Sequence, residues 1–136
     1  MSGFPSVTAD GVDRLLESCD VKPTAQRLAI ARVLAGACCH WSADQVGDAV
    51  GAEVSRATVY NTLNLFVEKG LLREVVVSQE KVFYDTNTAL HHHFYGVDDG
   101  RLVDIPLEQL PIAALPSLPE GAVLDTVDVV VRVRKG

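Results

Sequence analysis

The sequence predicts an α+β chain in two parts, and three observations carry that reading. Up to about Tyr84, apolar residues recur at helical spacing between clear start and stop signals. After Asp85 the pattern turns to short strands, and Pro106, Pro111, Pro116 and Pro119 forbid a long helix in the stretch that separates them. The expected division is into residues 1–85 and residues 86–136.

Composition sets the outer limits. With 136 residues, of which 48% are hydrophobic and 22% charged, the chain has the material for one folded domain or two very small ones. Its apolar runs fall well short of the ~18 residues that a bilayer span needs, and the opening MSGFPSVTADG has no basic end followed by an apolar block. We therefore expect a soluble, cytoplasmic protein that makes no membrane contact. A net charge of −6 excludes coating of nucleic acid by bulk positive charge, so any DNA binding has to come from a local patch. The three cysteines are odd in number, Cys38 and Cys39 are adjacent, and no Cys-x-x-Cys pair occurs. That leaves neither a disulfide framework nor a four-cysteine zinc knot.

The helices follow in order. Val12, Leu15, Leu16 and Cys19 share one face of a short first helix. Thr24, after Pro23, caps a second that runs through Leu28, Ala31 and Leu34 and stops at Gly36. Ser42 and Gln45 form a capping-box pattern for a third, with Val46, Ala49 and Val50 as its buried stripe before Gly51. Ser55 caps a fourth, which turns Val59, Leu63, Phe66 and Val67 inward and ends at Gly70. Its other face carries Ala57, Asn61, Asn64 and Glu68, flanked by Thr58 and Tyr60.

A short helix, a tight connection and a second helix with a polar N-terminal face is the layout of a helix-turn-helix. Leu71 to Val77 and Lys81 to Tyr84, around Ser78-Gln79-Glu80, would add a wing. Lys22, Arg27, Arg32, Arg56 and Arg73 are the cations available for phosphate contacts, and Asn61 has the carboxamide that pairs with adenine.

In the second part, His91 to Val97 and Leu102 to Ile105 flank the turn Asp98-Asp99-Gly100 and predict a hairpin. One helical turn fits near Glu108. Val127, Val129, Val131 and Val133 alternate with Asp128, Val130, Arg132 and Arg134, which marks a last strand with one apolar face. About fifty residues with three strands are too few to cover that face, so we expect a homodimer.

The triplet His91-His92-His93 is the chemical focus. In a strand, His91 and His93 project from one face and His92 from the other. Imidazole suits zinc, iron and manganese, with carboxylates completing sites for the harder ions. The nearest carboxylates are Asp85 and Asp104, and His40 precedes the third helix. Cys38 and Cys39 read either as buried small apolar residues or as ligands to a soft or haem iron, and Cys19 as core. No His-Glu-x-x-His helix or nucleophile elbow points to a metal-dependent hydrolase, so no enzyme is expected.

The phrases VKPTAQRLAI, HWSADQV, SRATVYNTLNLFVEKGLLRE, KVFYDTNTALHHHFY and GRLVDI together resemble the ferric uptake regulator (Fur) family. Members are metal-responsive dimeric transcription factors with an N-terminal winged helix-turn-helix and a small C-terminal α/β dimerisation domain. The likeness runs from about residue 18 to the C-terminus. VFYDTN, HHHFY, LPSLPEG and DTVDVVVRVRKG are similar to the iron response regulator (Irr) branch, whose members respond to haem.

The resemblance implies a dimeric, sequence-specific regulator of iron and haem genes. It would bind double-stranded DNA at an AT-rich, near-palindromic operator and respond to haem or to a divalent metal at the interdomain hinge. The alternative is a manganese, iron or zinc sensor without haem control. The implied metal ligands are His40, Asp85, His91, His93 and Asp104, the implied haem residues His91, His92 and His93, and the implied DNA contacts Lys22, Arg27, Arg56, Thr58, Tyr60 and Asn61. Counting back from the histidines puts Tyr84 where most members have glutamate, which leaves Tyr84 and Asp85 as alternatives, with Asp85 nominated. Gly96 and Asp99 stand where the first structural-zinc cysteine pair would be, and Val127 where a family histidine would be. Neither a structural zinc nor a complete second metal site is expected. No cysteine precedes a proline, so the Cys-Pro haem motif is absent.

Overall fold

The computed structural model describes residues 3–36 and 39–136, and it divides into two compact units, Met1–Thr88 and Ala89–Gly136. In the first, short 3-10 turns at Phe4–Ser6 and Ala9–Gly11 lead into α1 (Val12–Ser18) and α2 (Ala25–Leu34). A two-residue strand β1 (His40–Trp41), α3 (Ala43–Val50), α4 (Arg56–Glu68), β2 (Arg73–Val76) and β3 (Val82–Asp85) follow.

The caps act where the sequence places them. Thr24 Oγ1 accepts from Arg27 N, and Ser55 Oγ accepts from Thr58 N. Ser42 and Gln45 satisfy each other's backbone N–H groups at 3.1 and 2.9 Å. Gly36 and Gly70 end α2 and α4 at φ 86° and 78°, a left-handed conformation that costs a side chain steric strain. The core is built from Val12, Leu16, Ile30, Leu34, Val46, Val59, Leu63 and Phe66, all buried. Phe4 joins it, its ring 5.5 Å from that of Phe66. Helical periodicity cannot find Phe4, because it precedes the first helix.

The expected stripe on α3 needs one correction: Ala49 is exposed and Gly47 is buried in its place. The cause is the close crossing of α3 and α4, where a Cβ on Gly47 would run into the Arg56 guanidinium.

The wing hairpin β2-β3 pairs antiparallel, and β1 adds to the other edge of β3, giving the order β1-β3-β2 with His40 opposite Asp85 and Trp41 opposite Tyr84. Thr86 fastens the end of that pairing, donating its N–H to Cys39 O at 3.2 Å and accepting Cys39 N at 3.0 Å.

The second unit holds β4 (His92–Gly96), β5 (Leu102–Ile105) and β6 (Val130–Val133) in the order β5-β4-β6, with β5 antiparallel and β6 parallel to β4. A 3-10 turn at Leu107–Gln109 is the helical turn expected near Glu108. The Asp98-Asp99-Gly100 turn is closed by its own carboxylates. Asp99 Oδ1 accepts from Arg101 N at 3.0 Å and fills the space that a Cβ on Gly96 would take, and Asp98 accepts from Lys135 N at 2.8 Å, tying down the chain after β6.

The last strand is shorter than the valine alternation suggests. Pairing starts at His93 with Val130, so Val127 and Val129 lie ahead of β6. Register sets Val103, Phe94 and Val131 in one row across the sheet, with Phe94 40% and Val103 49% exposed. No helix among the described residues is long and apolar enough to cross a membrane.

Two substitutions grade these contributions. Phe66→Ala should cost about 3–5 kcal/mol through the cavity it leaves beside Phe4, and Ser42→Ala about 1 kcal/mol through loss of the cap. Urea unfolding followed by circular dichroism checks the order, and a Ser42→Ala cost equal to that of Phe66→Ala would contradict it.

Candidate metal and DNA-binding sites

In the first unit, antiparallel pairing of β1 with β3 sets His40 beside Asp85, Nε2 to Oδ2 3.2 Å. The Asp85 carboxylate is 1% exposed, and its other oxygen accepts from Asn87 N at 2.9 Å. A buried carboxylate needs such donors to offset lost hydration. Tyr84, the alternative from the sequence, faces elsewhere: its hydroxyl donates to Asn64 Oδ1 at 3.2 Å, joining the wing to α4. Burial pushes the Tyr84 phenol above its ordinary pKa, and the charges of Glu74 and Tyr60 push the same way. Asp85, not Tyr84, is the residue set against His40.

In the second unit, strand alternation does what the sequence suggested for the triplet. His93 lies opposite Asp104 in the β4-β5 ladder, and His91, one residue ahead of β4, turns to the same side. Asp104 Oδ1 stands 3.2 Å from His91 Nε2 and 3.4 Å from His93 Nε2, and the two rings meet nearly edge to face with centroids 4.5 Å apart. His91 Nδ1 is 2.6 Å from Ala89 O. A carbonyl only accepts, so in the neutral ring Nδ1 carries the proton and Nε2 presents its lone pair. Two imidazole nitrogens and a carboxylate oxygen converge with the outer hydrogen bond already made, a donor set that fits a divalent manganese, iron or zinc ion.

His92 points to the opposite side of the sheet. Its Nδ1 accepts from Val129 N at 3.2 Å, so in the neutral ring Nε2 bears the proton. It lines an apolar cavity of about 610 Å³ with Leu90, Leu107, Leu115, Leu124 and Val127. Of the haem residues expected from sequence, His91 and His93 are brought together and His92 is not. Cys19 packs half-buried against the core, and Cys39 is half-buried with its backbone held by Thr86. Cys38 lies outside the described residues.

The expected DNA residues lie on α2, its approach and α4. Lys22 is exposed, and its carbonyl accepts from Arg27 Nη1 at 3.1 Å, which orients the half-buried Arg27. Tyr60 is 49% exposed on α4, and Asn61 is exposed with no hydrogen-bond partner among the described residues. Thr58 is engaged by the Ser55 cap, its hydroxyl accepting from Ser55 Oγ at 2.9 Å. Arg56 is held within its own unit, donating to Asp48 Oδ1 at 2.6 Å and to Asp44 O at 2.9 Å. The hydrogen bond that Arg56 donates to Asp48 holds the guanidinium pKa above its ordinary value.

Sequence reading missed a cavity of about 290 Å³ between the start of α2 and α4, lined by Thr24, Gln26, Arg27, Thr58, Asn61 and Leu65. The helical periods of α2 and α4 could each be read, but their crossing could not.

Comparison with known proteins agrees with this anatomy. The model of the ferric uptake regulator family matches residues 18–117. The peroxide-responsive repressor PerR of Staphylococcus aureus is 33% identical over 98 residues, which are 70% of this chain. The match spans 66% of the repressor, so the chain covers just under two thirds of that curated relative. Among solved structures, the Vibrio cholerae ferric uptake regulator aligns with a TM-score of 0.70 at 25% identity, over 91% of this chain and 99% of that one. The Pseudomonas aeruginosa ferric uptake regulator, solved with manganese, aligns at 0.64 and 24% identity, over 90% and 96%. A zinc-bound manganese uptake regulator aligns at 0.64 and 19%, over 91% and 98%. With the family model matched over most of its length, the chain belongs to the ferric uptake regulator family.

Proposed function

We propose that the protein is a dimeric, metal-responsive transcriptional regulator that binds DNA in the cytoplasm through α4 and the approach to α2. The observation that carries this is the convergence of His91, His93 and Asp104 with the His91 ring already oriented by Ala89 O. Three donors leave a first-row divalent ion short of its usual coordination number. In the first unit, His40 and Asp85 form a second, two-donor set of matching chemistry. A bound ion would supply positive charge to these donors. The residues themselves hold the β4-β5 register on one side and the β1-β3 pairing on the other. Dimerisation is supported by the apolar row Val103, Phe94 and Val131, of which Val103 and Phe94 are exposed and Val131 is half-buried.

Two finer responses belong to the proposal. The PerR relative is named as peroxide-responsive, which favours a peroxide response in the iron-loaded form. Haem control, implied by the likeness to the iron response regulator branch, would use His91 and His93. His92 is less suited, because its Nδ1 accepts from Val129 N.

A gel-shift series on AT-rich promoter DNA tests the whole. Chelator should release the DNA, and manganese, iron or zinc should restore binding. Peroxide should release it only from the iron-loaded protein, and haemin should release it if haem is sensed. Binding that ignores chelator and every ion would overturn the metal reading.

The double variant His91→Ala with His93→Ala should lose tight metal binding, measured by calorimetry, while remaining a dimer by light scattering. A stable wild-type monomer at micromolar concentration would remove the dimer. Asn61→Ala should cost about 1–3 kcal/mol on operator DNA and little on random DNA, whereas Lys22→Ala should weaken both and flatten the salt dependence.

A further inference from the structure

The cavity between α2 and α4 was not assigned by the sequence, and its lining can be sorted by what each side chain already does. Thr24 Oγ1 is occupied by the α2 cap, accepting from Arg27 N at 3.3 Å. Arg27 is turned onto Lys22 O at 3.1 Å. Thr58 is taken up by the α4 cap through its N–H and its hydroxyl oxygen, Thr62 is buried and Leu65 is apolar. Gln26 and Asn61 remain. Both are exposed, both line the same cavity, and neither has a hydrogen-bond partner among the described residues.

Two carboxamides that the fold does not use are a specific chemistry. Each offers an acceptor and a donor side by side, the complement of adenine N6–H and N7 in the major groove. A phosphate contact would need donors alone and gains most from charge, which Lys22 and Arg27 already supply next to them. Asn61 sits on the second helix of the helix-turn-helix. Gln26 comes from α2, so the two carboxamides reach one cavity from two helices.

We propose that Gln26 is a second base-reading residue, selecting an A·T pair near the one read by Asn61. The proposal rests on the DNA-binding reading above.

The test starts from full-length, manganese-loaded protein used to select its preferred sequences from a random duplex library. Affinity for the selected site and for random DNA is then measured by fluorescence anisotropy for wild type, Gln26→Ala and Gln26→Glu. Gln26 is exposed, so unchanged thermal melting is expected and confirms that the variants fold. Gln26→Ala should lose about tenfold on the selected site, with random-DNA affinity and salt slope unchanged. A repeat selection with Gln26→Ala should show one A·T position relaxed. Gln26→Glu, which keeps the acceptor but loses the amide donor and adds repulsion, should lose more on the selected site. Equal losses on selected and random DNA, or an unchanged motif, would overturn the base-reading role while leaving DNA binding intact. If wild type enriches no sequence with manganese, iron or zinc, the DNA-binding reading and this proposal fall together.

Discussion

The contact on which the second unit turns is the approach of one carboxylate oxygen to two imidazole nitrogens. Asp104 Oδ1 lies 3.2 and 3.4 Å from His91 and His93, and Ala89 O holds the His91 ring by its Nδ1 so that Nε2 faces Asp104. At that distance the carboxylate is attracted either to a proton on the ring or to a metal ion held between the two atoms. Ladder register makes the arrangement: a slip of one residue between β4 and β5 would send His93 to the other face and set His92 against Asp104. The sheet is therefore specified by its donors as much as by its apolar face, which is half exposed and could tolerate a slip more cheaply.

On the proposed DNA-binding reading the first unit meets a different demand, since a chain with net charge −6 has to present its reading surface without an overall positive field. It does so by using charge internally. Arg56 is spent on Asp48 and Asp44 across the α3-α4 crossing, where Gly47 leaves room for it. The exposed groups left on α4 are hydrogen-bonding rather than cationic, with Tyr60 and Asn61 foremost. On that reading α4 discriminates through base edges, while phosphate attraction and its salt dependence fall to Lys22 and Arg27.

Much of this was legible because the signals are local. Caps at Thr24, Ser42 and Ser55 and stops at Gly36 and Gly70 act within one turn, and their hydrogen bonds are those their side chains allow. The opposed faces of the histidine triplet follow from strand alternation alone. The misses are all tertiary. Ala49 and Gly47 trade places because of how closely two helices cross, Phe4 enters the core from outside any periodic segment, and β6 shortens because its partner strand sets where pairing begins. The choice between Tyr84 and Asp85 depended on which one β1 would face. No count along the chain supplies that, whereas the pairing of His40 with Asp85 does.

On the proposed function, an ion that strengthens DNA binding must itself be held more tightly when DNA is present, and by the same factor, because linkage between two binding equilibria is reciprocal. The free energy of metal binding then becomes coupling free energy. Within the first unit, the His40–Asp85 pairing rests on a strand of only two residues. Thr86 braces that strand by holding both the N–H and the carbonyl of Cys39, so Thr86→Val should loosen His40 before it touches the helical core.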